Sequence, residues 1–191
     1  HGLVQALSGL EPSTTGTTSA PLLIRRFGFP HDRVREAAYE QVALPARPAF
    51  HLHVGRLLNK SLSPTQRAER IFELADHLNH GIPLLVNDRE RRELALLDLE
   101  AGKQASRAAA HATAALYLDR GLAVLPESAW ETDHATAFDL HAEWVQAMSR
   151  SGRFEEAERG VEAGLARARS NADKVRLYTT LPEQYSLAGR P

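Results

Sequence analysis

The sequence contains nine histidines, and metal binding is the first chemistry that they suggest. His77 and His80 are three residues apart and can share one face of a helix, whereas His51 and His53 are two apart and lie on different sides. A catalytic zinc needs a third protein ligand and groups that orient the ligands, and no His-Glu-x-x-His pattern is present. We therefore predict no metal site, and we interpret His77 and His80 as residues at a helix end, where an imidazolium suits the dipole.

Nucleophilic and acid–base catalysis have equally little support. Serine, histidine and aspartate all occur, but no Gly-x-Ser-x-Gly turn is present to expose a nucleophilic serine. The paired carboxylates Glu155 and Glu156 fall in the first turn of a predicted helix, where they compensate the dipole. The arginines Arg89, Arg91 and Arg92 alternate with acidic residues, which is typical of a solvated helix face. We predict no catalytic residues in this chain.

Composition argues against several classes of function. The chain has 191 residues, of which 43% are hydrophobic and 25% charged, and its net charge is −1. The hydrophobic fraction is sufficient for a buried core, and the balanced charge offers no basic surface for nucleic acid or a membrane. The absence of cysteine rules out disulfides and thiolate metal sites. No apolar run approaches the roughly 20 residues of a membrane span, so we expect a cytoplasmic protein.

The beginning of the chain predicts mixed structure. Residues 1–10 are typical of the end of a helix, and 11–21 are turn formers that predict a mobile loop. Residues 22–29 alternate like a β-strand. A helix is then predicted to open at His31 and Asp32, because a carboxylate in the first turn suits the helix dipole.

Beyond these residues the hydrophobic period is helical. One helix is predicted to start after Ser63, which caps it, with Pro64 in its first turn, and to end at Gly81. Asn87 is predicted to cap a long helix that follows. The stripes expected to face the core are Val34, Ala37, Ala38 and Val42; Phe50, Val54, Leu57 and Leu58; Ala68, Ile71, Ala75 and Leu78; and Leu94, Leu97, Ala101 and Ala105.

An internal repeat organises the second half of the sequence. Its small residues predict that paired helices approach each other closely, while bulky residues between them fill the groove. The two copies lie 43 residues apart. The matched positions are Ala114, Leu118, Gly121, Leu122 and Leu125 in the first copy and Ala157, Val161, Gly164, Leu165 and Ala168 in the second.

This pattern resembles the tetratricopeptide repeat, a pair of antiparallel helices of about 34 residues. The longer period here is interpreted as an insertion between Glu127 and His134. A third unit starts at Val175 and stops at Gly189 to Pro191, before its second helix. We therefore expect the chain to be a piece of a longer protein, with exposed repeat ends that permit self-association. The positions that fit the family pattern are Gly102, Ala114, Gly121 and Pro126 in one unit and Gly152, Phe154, Ala157 and Gly164 in the next.

Residues 27–39 read Phe-Gly-Phe-Pro-His-Asp-Arg-Val-Arg-Glu-Ala-Ala-Tyr and resemble a junction in STAND-type signalling ATPases. There, an AAA-like nucleotide-binding region ends in a winged-helix subdomain, and helical repeats follow. The segments 51–58, 76–81 and 93–102 match the same architecture. Over residues 20–190 the chain resembles the ATPase-plus-repeat middle section of bacterial hybrid sensor kinases. Those proteins often carry a Ser/Thr kinase domain on one side and GAF and histidine kinase domains on the other.

The resemblance implies nucleotide sensing in the parent protein. In relatives, the histidine of the His-Asp pair faces the nucleotide phosphates and stabilises a closed, ADP-bound state. The corresponding histidine here is His31. The resemblance implies that Asp32 either orients His31 or caps the helix. The alternative is that His31 only packs beside the helix start. The sequence contains no Gly-x-x-x-x-Gly-Lys-Ser/Thr phosphate loop. ATP or ADP is therefore expected in the parent protein and not as a cofactor of this chain.

These patterns predict an all-α fold, with a TPR-like right-handed superhelix over 44–191 and a small β-containing winged-helix remnant over 1–43. The expected function is a non-catalytic signalling scaffold. It would couple an AAA-like NTPase to effector domains and bind protein partners or neighbouring domains, but neither nucleic acid nor membranes. Two alternatives stay open. One is the repeat portion of a STAND-type transcription regulator, which would bind duplex DNA with salt sensitivity. The other is a helical enzyme with a histidine site, which would lose activity on His77→Ala.

Overall fold

The structure is a computed structural model that describes residues 31–180, together with Gln5–Ala6 and Phe27–Gly28. The contacts of the chain divide it into two units, 1–47 and 48–191. The described residues are all-α apart from one two-stranded ladder. No described helix combines the length and the apolar character needed to cross a membrane.

The first unit contains this ladder. β1 (Gln5–Ala6) pairs antiparallel with β2 (Phe27–Gly28), with Gln5 opposite Gly28. The sequence predicts the end of a helix within residues 1–10, but residues 5–6 form a strand, so this prediction is wrong there. β2 lies inside the strand predicted for residues 22–29. Two residues in each strand do not make a winged helix, so the predicted remnant is not seen in the described residues.

The first unit also contains α1 (Asp32–Glu40), which begins where the sequence predicts. None of its residues is buried. The stripe expected to face the core is half-exposed at Val34 and exposed at Ala37 and Ala38. The periodicity therefore predicted the helix correctly but not its burial, because an apolar stripe is buried only where another element covers it.

The second unit follows in a series of helices joined by short connections. Their order along the chain is α2 (Arg47–Ser61), α3 (Pro64–Glu69), α4 (Ile71–His80), α5 (Asp88–Arg107), α6 (His111–Val124), α7 (Ala129–Thr132), α8 (His134–Arg150), α9 (Phe154–Arg167) and α10 (Asn171–Tyr178).

The single helix predicted from Ser63 to Gly81 is two helices, because the backbone at Arg70 leaves the helical region (φ −111°, ψ 25°). Ser63 caps α3 as predicted, in a reciprocal capping box with Gln66. Gly81 ends α4, but its φ of −89° is right-handed. Glycine is needed there for space, since a Cβ on Gly81 would lie 2.7 Å from Leu52 Cβ.

The buried face of α2 differs from the predicted one. Leu52 and Gly55 are buried, whereas Phe50 and Leu57 keep 41% and 54% of their surface exposed. A Cβ on Gly55 would lie 2.6 Å from a methyl of Leu78, so the absence of a side chain lets α2 approach α4. The helical period places Phe50 and Leu57 on a core face, but the face of α2 that meets α4 has Gly55 at its centre.

The helix pairs α5–α6 and α8–α9 carry the internal repeat. α6 and α9 have 14 residues each and begin 43 residues apart, and α5 and α8 end 43 residues apart. The stripe predicted for α5 is confirmed, since Leu94, Leu97, Ala101 and Ala105 are all buried. The residues between the two pairs contain the one-turn helix α7, whose Ala129 is fully buried.

The turns inside the two pairs are also equivalent. Ala109 has a φ of 57° and Gly152 a φ of 82°, and these residues are 43 positions apart. In each turn the next amide reaches a carbonyl five residues back, at 3.0 Å in the first pair and 2.9 Å in the second. This is the hydrogen bond that closes a helix end through a left-handed residue. Ala109 is therefore strained in the first turn, because its Cβ disfavours a positive φ. Gly152 adopts the same conformation in the second turn without this strain.

α10 is the described part of the predicted third unit. Its N-cap is Ser170, which forms a capping box with Asp173. Leu177 of α10 is fully buried and packs against Gly164 of α9. A Cβ on Gly164 would lie 2.8 Å from a methyl of Leu177. The predicted mobile loop 11–21, and the rest of the third unit from Leu181 onward, lie outside the described residues.

Candidate functional site

The residues predicted to sense nucleotide are both exposed. His31 is the N-cap of α1 in an extended conformation, but its side chain caps no amide. Asp32 follows it in the first turn, has 90% of its side chain exposed and pairs with Arg35 at 3.3 Å. The structure therefore places both side chains in solvent at the start of α1.

The small residues predicted to pack the first repeat unit lie where α5 meets α6. A Cβ on Gly102 would lie 2.5 Å from Leu118, and Ala114 is fully buried. A Cβ on Gly121 would come within 3.1 Å of both the Cβ of Asp98 and a methyl of Leu140. These positions leave room for bulky neighbours, so the two helices interlock along their length.

The corresponding residues of the second unit differ in role. Ala157 is fully buried and Gly164 is buried, with space for a Cβ blocked by Leu177 and His141. Gly152 lies in the turn before α9 with a left-handed φ, which explains the glycine, and it has open space around it and so no close packing contact. Phe154 is half-buried at the first position of α9.

Pro126 follows the C-cap of α6 and is half-buried. Its carbonyl accepts a hydrogen bond from the amide of Ala129 at 2.9 Å, which starts α7. The proline predicted to close the first unit therefore also leads into the inserted turn.

A buried polar pair joins α4 to α5. Asp98 has no exposed surface, and its Oδ1 accepts a hydrogen bond of 2.7 Å from Asn79 Nδ2. Burial raises the pKa of Asp98 to about 7, although the bond from Asn79 acts in the opposite direction. The second oxygen of Asp98 and the Oδ1 of Asn79 are both buried with no hydrogen-bond partner. Neither residue was singled out from the sequence as functional.

A second polar group lies beside this pair. Asp76 of α4 accepts hydrogen bonds of 3.1 Å from Tyr117 Oη and from an Arg120 guanidinium nitrogen, both on α6. Burial raises the pKa of Tyr117 to about 12, and the charge of Asp76 adds to that shift. Asp76 thus ties α4 to α6 through a charged contact at the edge of the core.

Three histidines meet where α2 passes α4. His51 and His77 approach through their Nδ1 atoms at 3.0 Å, and the ring of His80 stacks on His51 with centroids 4.6 Å apart. Burial lowers the pKa of His77, although Glu73 acts to raise it. The sequence did not indicate that His51 lies near His77 and His80, and the packing of α2 on α4 brings the three rings together. Within the described residues, no three His, Cys, Asp or Glu side chains are arranged to hold a metal ion.

Two other histidines hold α8 against α9. The Nε2 of His141 donates to the carbonyl of Gly160 at 2.7 Å, and the Nε2 of His134 donates to the carbonyl of Arg167 at 2.9 Å. Burial lowers the pKa of His141, which favours the neutral form of its imidazole. The ring of Trp130 lies beside His141, with centroids 5.9 Å apart, so the histidines are part of an aromatic layer between the helices.

Two cavities lie on either side of α5 and share Leu96 in their lining. The first, of about 530 Å³, lies between α3–α4 and α5, and the second, of about 610 Å³, lies between α5, α8 and α10. Leu96 lines both cavities and keeps 42% of its surface exposed. We call the two cavities the inner groove. Its charged lining residues are Arg67, Glu93, Glu100, Lys103 and Arg107 in the first cavity and Asp139, Arg169, Asp173 and Arg176 in the second.

Ion pairs connect three helices along the inner groove. Asp139 of α8 pairs with Lys103 of α5 and with Arg176 of α10, the latter at 2.6 Å. Arg176 also reaches Glu143 of α8 at 2.8 Å. Partial burial acts to raise the pKa of Asp139, but the hydrogen bonds from Lys103 and Arg176 outweigh it, and the pKa is lowered. Successive repeat units are therefore joined by charge on the face that forms the groove.

The position of Asp98 in the sequence indicates that it is buried, because it lies among the apolar residues of the core stripe. Asp98 is four residues after Leu94 and three before Ala101, so it lies on the predicted core stripe of α5. A carboxylate at such a position needs a partner or a proton. The inner groove had no comparable signal, because its residues come from helices that are distant in sequence.

The chain is similar to a segment of a signalling protein. It is 26% identical over 186 residues to hybrid signal transduction histidine kinase G of Dictyostelium discoideum. The match covers 85% of this chain and 5% of that kinase, so the chain spans a small part of the relative's length. No protein-family model matches the chain, and no solved structure matches it.

Proposed function

We propose that this chain is a non-catalytic interaction region of a signalling protein, and that its inner groove binds an extended polypeptide segment from a partner protein or a neighbouring domain. The proposal draws on the similarity to a signal transduction histidine kinase. A match of this extent concerns one segment, so the role of the whole protein belongs to the proposal as well.

The single observation that carries the proposal is the position of Leu96. It lies at the junction of the two cavities and exposes 42% of its surface between charged residues of both signs. A protein interface has an apolar centre and a polar rim, and the two cavities that meet at Leu96 give this arrangement a concave form. The mixture of acidic and basic side chains suits a polypeptide better than nucleic acid, which requires a basic surface.

Within this proposal the helix pairs are units of a TPR-like right-handed superhelix, and the first unit is the end of a winged-helix subdomain. The scaffold couples an AAA-like NTPase of the parent protein, which binds ATP or ADP, to effector domains. His31 and Asp32 then sense the nucleotide, and their exposure at the start of α1 leaves both side chains accessible to a neighbouring domain. The exposed Val175 and Tyr178 of α10 would support self-association.

The transcription-regulator and histidine-enzyme alternatives have no specific observation in their favour. The side chain of His77, the residue on which the enzyme alternative depends, is half-buried against His51. Its environment is that of a packing residue between α2 and α4.

Site-specific photocrosslinking tests the groove. A photoreactive amino acid is placed at Leu96 or, as a matched control, at Leu116 of α6, which is exposed to a similar extent at 48% and lines neither cavity of the inner groove. We expect the probe at Leu96 in the parent protein to crosslink one recurring protein segment, identified by mass spectrometry.

A synthetic peptide of that segment then provides the decisive measurement. We expect it to bind the chain, with at least tenfold weaker affinity for Leu96→Glu and unchanged affinity for Leu116→Glu, because only the first substitution places a charge in the groove. Equal crosslinking at the two positions, or equal loss of peptide binding in the two variants, contradicts the proposal.

A further inference from the structure

The Asp98–Asn79 pair contains a hydrogen-bonding conflict. Asn79 donates from Nδ2 to Asp98 Oδ1 at 2.7 Å. The other two oxygens of the pair, Asp98 Oδ2 and Asn79 Oδ1, are buried without partners. Both are acceptors when Asp98 is ionised, so they cannot bond to each other or relieve the cost of their burial.

We propose that Asp98 carries a proton on Oδ2 in the folded chain and donates it to Asn79 Oδ1. The acid and the amide then form a closed ring of two hydrogen bonds, in which each group donates once and accepts once. A single proton thereby satisfies both unpartnered oxygens and removes a charge from the core. Asp98 is a proton-binding site that joins α4 to α5.

Burial is the main cause that favours the neutral form of Asp98, and the neighbouring charges act in both directions. α4 contributes Asp76, whose negative charge opposes ionisation, and Asn79, which is uncharged. α6 contributes Tyr117 and Arg120. The guanidinium of Arg120 favours the charged form more than Asp76 opposes it, but Arg120 bonds to Asp76 and not to Asp98, so burial decides the direction of the shift.

The remaining contacts of Asp98 are uncharged and close. Its Cβ lies 3.1 Å from the point where a Cβ on Gly121 would be, and the same point is 3.1 Å from a methyl of Leu140 on α8. α6 and α8 thus pack closely around the Cβ of Asp98, and the residue has no exposed surface. The pKa of about 7 that burial gives Asp98 agrees with a protonated acid in the folded state.

The proton gives this joint a pH dependence of defined sign. The folded pKa is raised above the ordinary value of 3.8 to about 7. The folded chain therefore binds one proton more than the unfolded chain between these limits. The stability contributed by the proton is complete below the ordinary pKa and is lost as the pH rises through about 7. Because Asp98 and Asn79 join α5 to α4, a rise in pH weakens one of the contacts between these two helices.

The test compares the wild-type chain with Asp98→Asn by chemical denaturation between pH 4.5 and 8.5. Asparagine has nearly the same shape, is uncharged at every pH and can donate from its amide to Asn79 Oδ1. We expect the folding equilibrium constant of the wild type, divided by that of Asp98→Asn, to fall about tenfold per pH unit up to about pH 7 and then level off. Taking this ratio cancels the titration of the histidines. A ratio that is independent of pH overturns the proposal.

A measurement on the wild type alone covers the case in which Asp98→Asn fails to fold. The carboxyl carbon of Asp98, assigned by triple-resonance NMR, is expected to titrate near neutral pH in the folded chain, whereas that of Asp139 titrates below the ordinary range. In infrared difference spectra at pH 5.5, we expect a protonated-carboxyl band that shifts on ¹³C-aspartate labelling. An Asp98 carboxyl carbon already in its ionised position at pH 5.5 overturns the proposal.

Discussion

The helix pairs α5–α6 and α8–α9 have the same backbone plan but different chemistry at its centre. Both pairs place a buried polar residue of the first helix against a glycine of the second: Asp98 against Gly121, and His141 against Gly164. The members of each equivalent position are 43 residues apart. The repeat therefore conserves the small residue that brings the helices together, while the polar residue that fills the space differs.

The pairs also differ in which helix carries the large side chain at a second set of equivalent positions. In the first pair Ala101 of α5 is matched with Tyr117 of α6, and in the second Trp144 of α8 is matched with Gly160 of α9. A Cβ on Gly160 would lie 2.6 Å from the indole of Trp144. The large side chain thus belongs to α6 in one pair and to α8 in the other. Each pair therefore holds one large and one small side chain at these two positions, and the ring centroid of Tyr117 lies 5.4 Å from that of Phe72 on α4.

The largest effect is expected from reversing this order in the second pair. Gly160→Tyr alone should destabilise the chain by about 3 kcal/mol through overpacking, and Trp144→Ala alone by about 3 kcal/mol through a cavity. The double variant reproduces the small-large order of the first pair, so we expect it to recover at least about 1 kcal/mol relative to the sum. Urea denaturation of the four proteins measures this coupling. Additive losses would mean that the two positions are not equivalent to Ala101 and Tyr117.

A smaller effect is expected from the polar residue of the second pair. His141→Leu leaves the Gly160 carbonyl without its imidazole donor, and we expect a loss of about 2 kcal/mol at pH 7.5. The folded pKa of His141 is lowered by burial, so its contribution is complete above pH 6.5 and is lost as the pH falls below that value.

The cost of His141→Leu should therefore shrink towards pH 5, which is opposite in sign to the behaviour expected of Asp98. Unfolding free energies at pH 7.5 and pH 5 provide the check, with His53→Leu as an exposed-histidine control. A cost that stays constant over this range would show that His141 does not titrate differently in the folded and unfolded chains.

The smallest effect is expected in the turns. Gly152→Ala should destabilise the second pair by about 1 kcal/mol, since alanine is strained at a φ of 82°. Ala109→Gly relieves the same strain in the first pair, and we expect it to stabilise by up to about 1 kcal/mol. Thermal melts should shift in opposite directions. A downward shift for both variants would show that Ala109 makes contacts which outweigh its backbone strain.

The helices and the repeat were within reach of the sequence because their signals are local. The stripe Leu94, Leu97, Ala101 and Ala105 has the period of a helix, and all four residues are buried. The capping residues Ser63 and Asn87 begin α3 and α5 as predicted. The failures were local signals that needed a partner: α1 has an apolar stripe but no buried residue, and the predicted helix from Ser63 to Gly81 breaks at Arg70.

By itself, the sequence determined where α1, α3 and α5 begin, which positions recur every 43 residues, and that small residues occupy the closest contacts of the repeat, because caps, periods and glycines act over a few residues of chain. Only the tertiary structure decided that Asp98 meets Asn79, that Asp139 joins three helices, and that Leu96 stays exposed between two cavities. Those features depend on which helix faces which. That choice comes from the packing of side chains distant in sequence, and no local pattern records it.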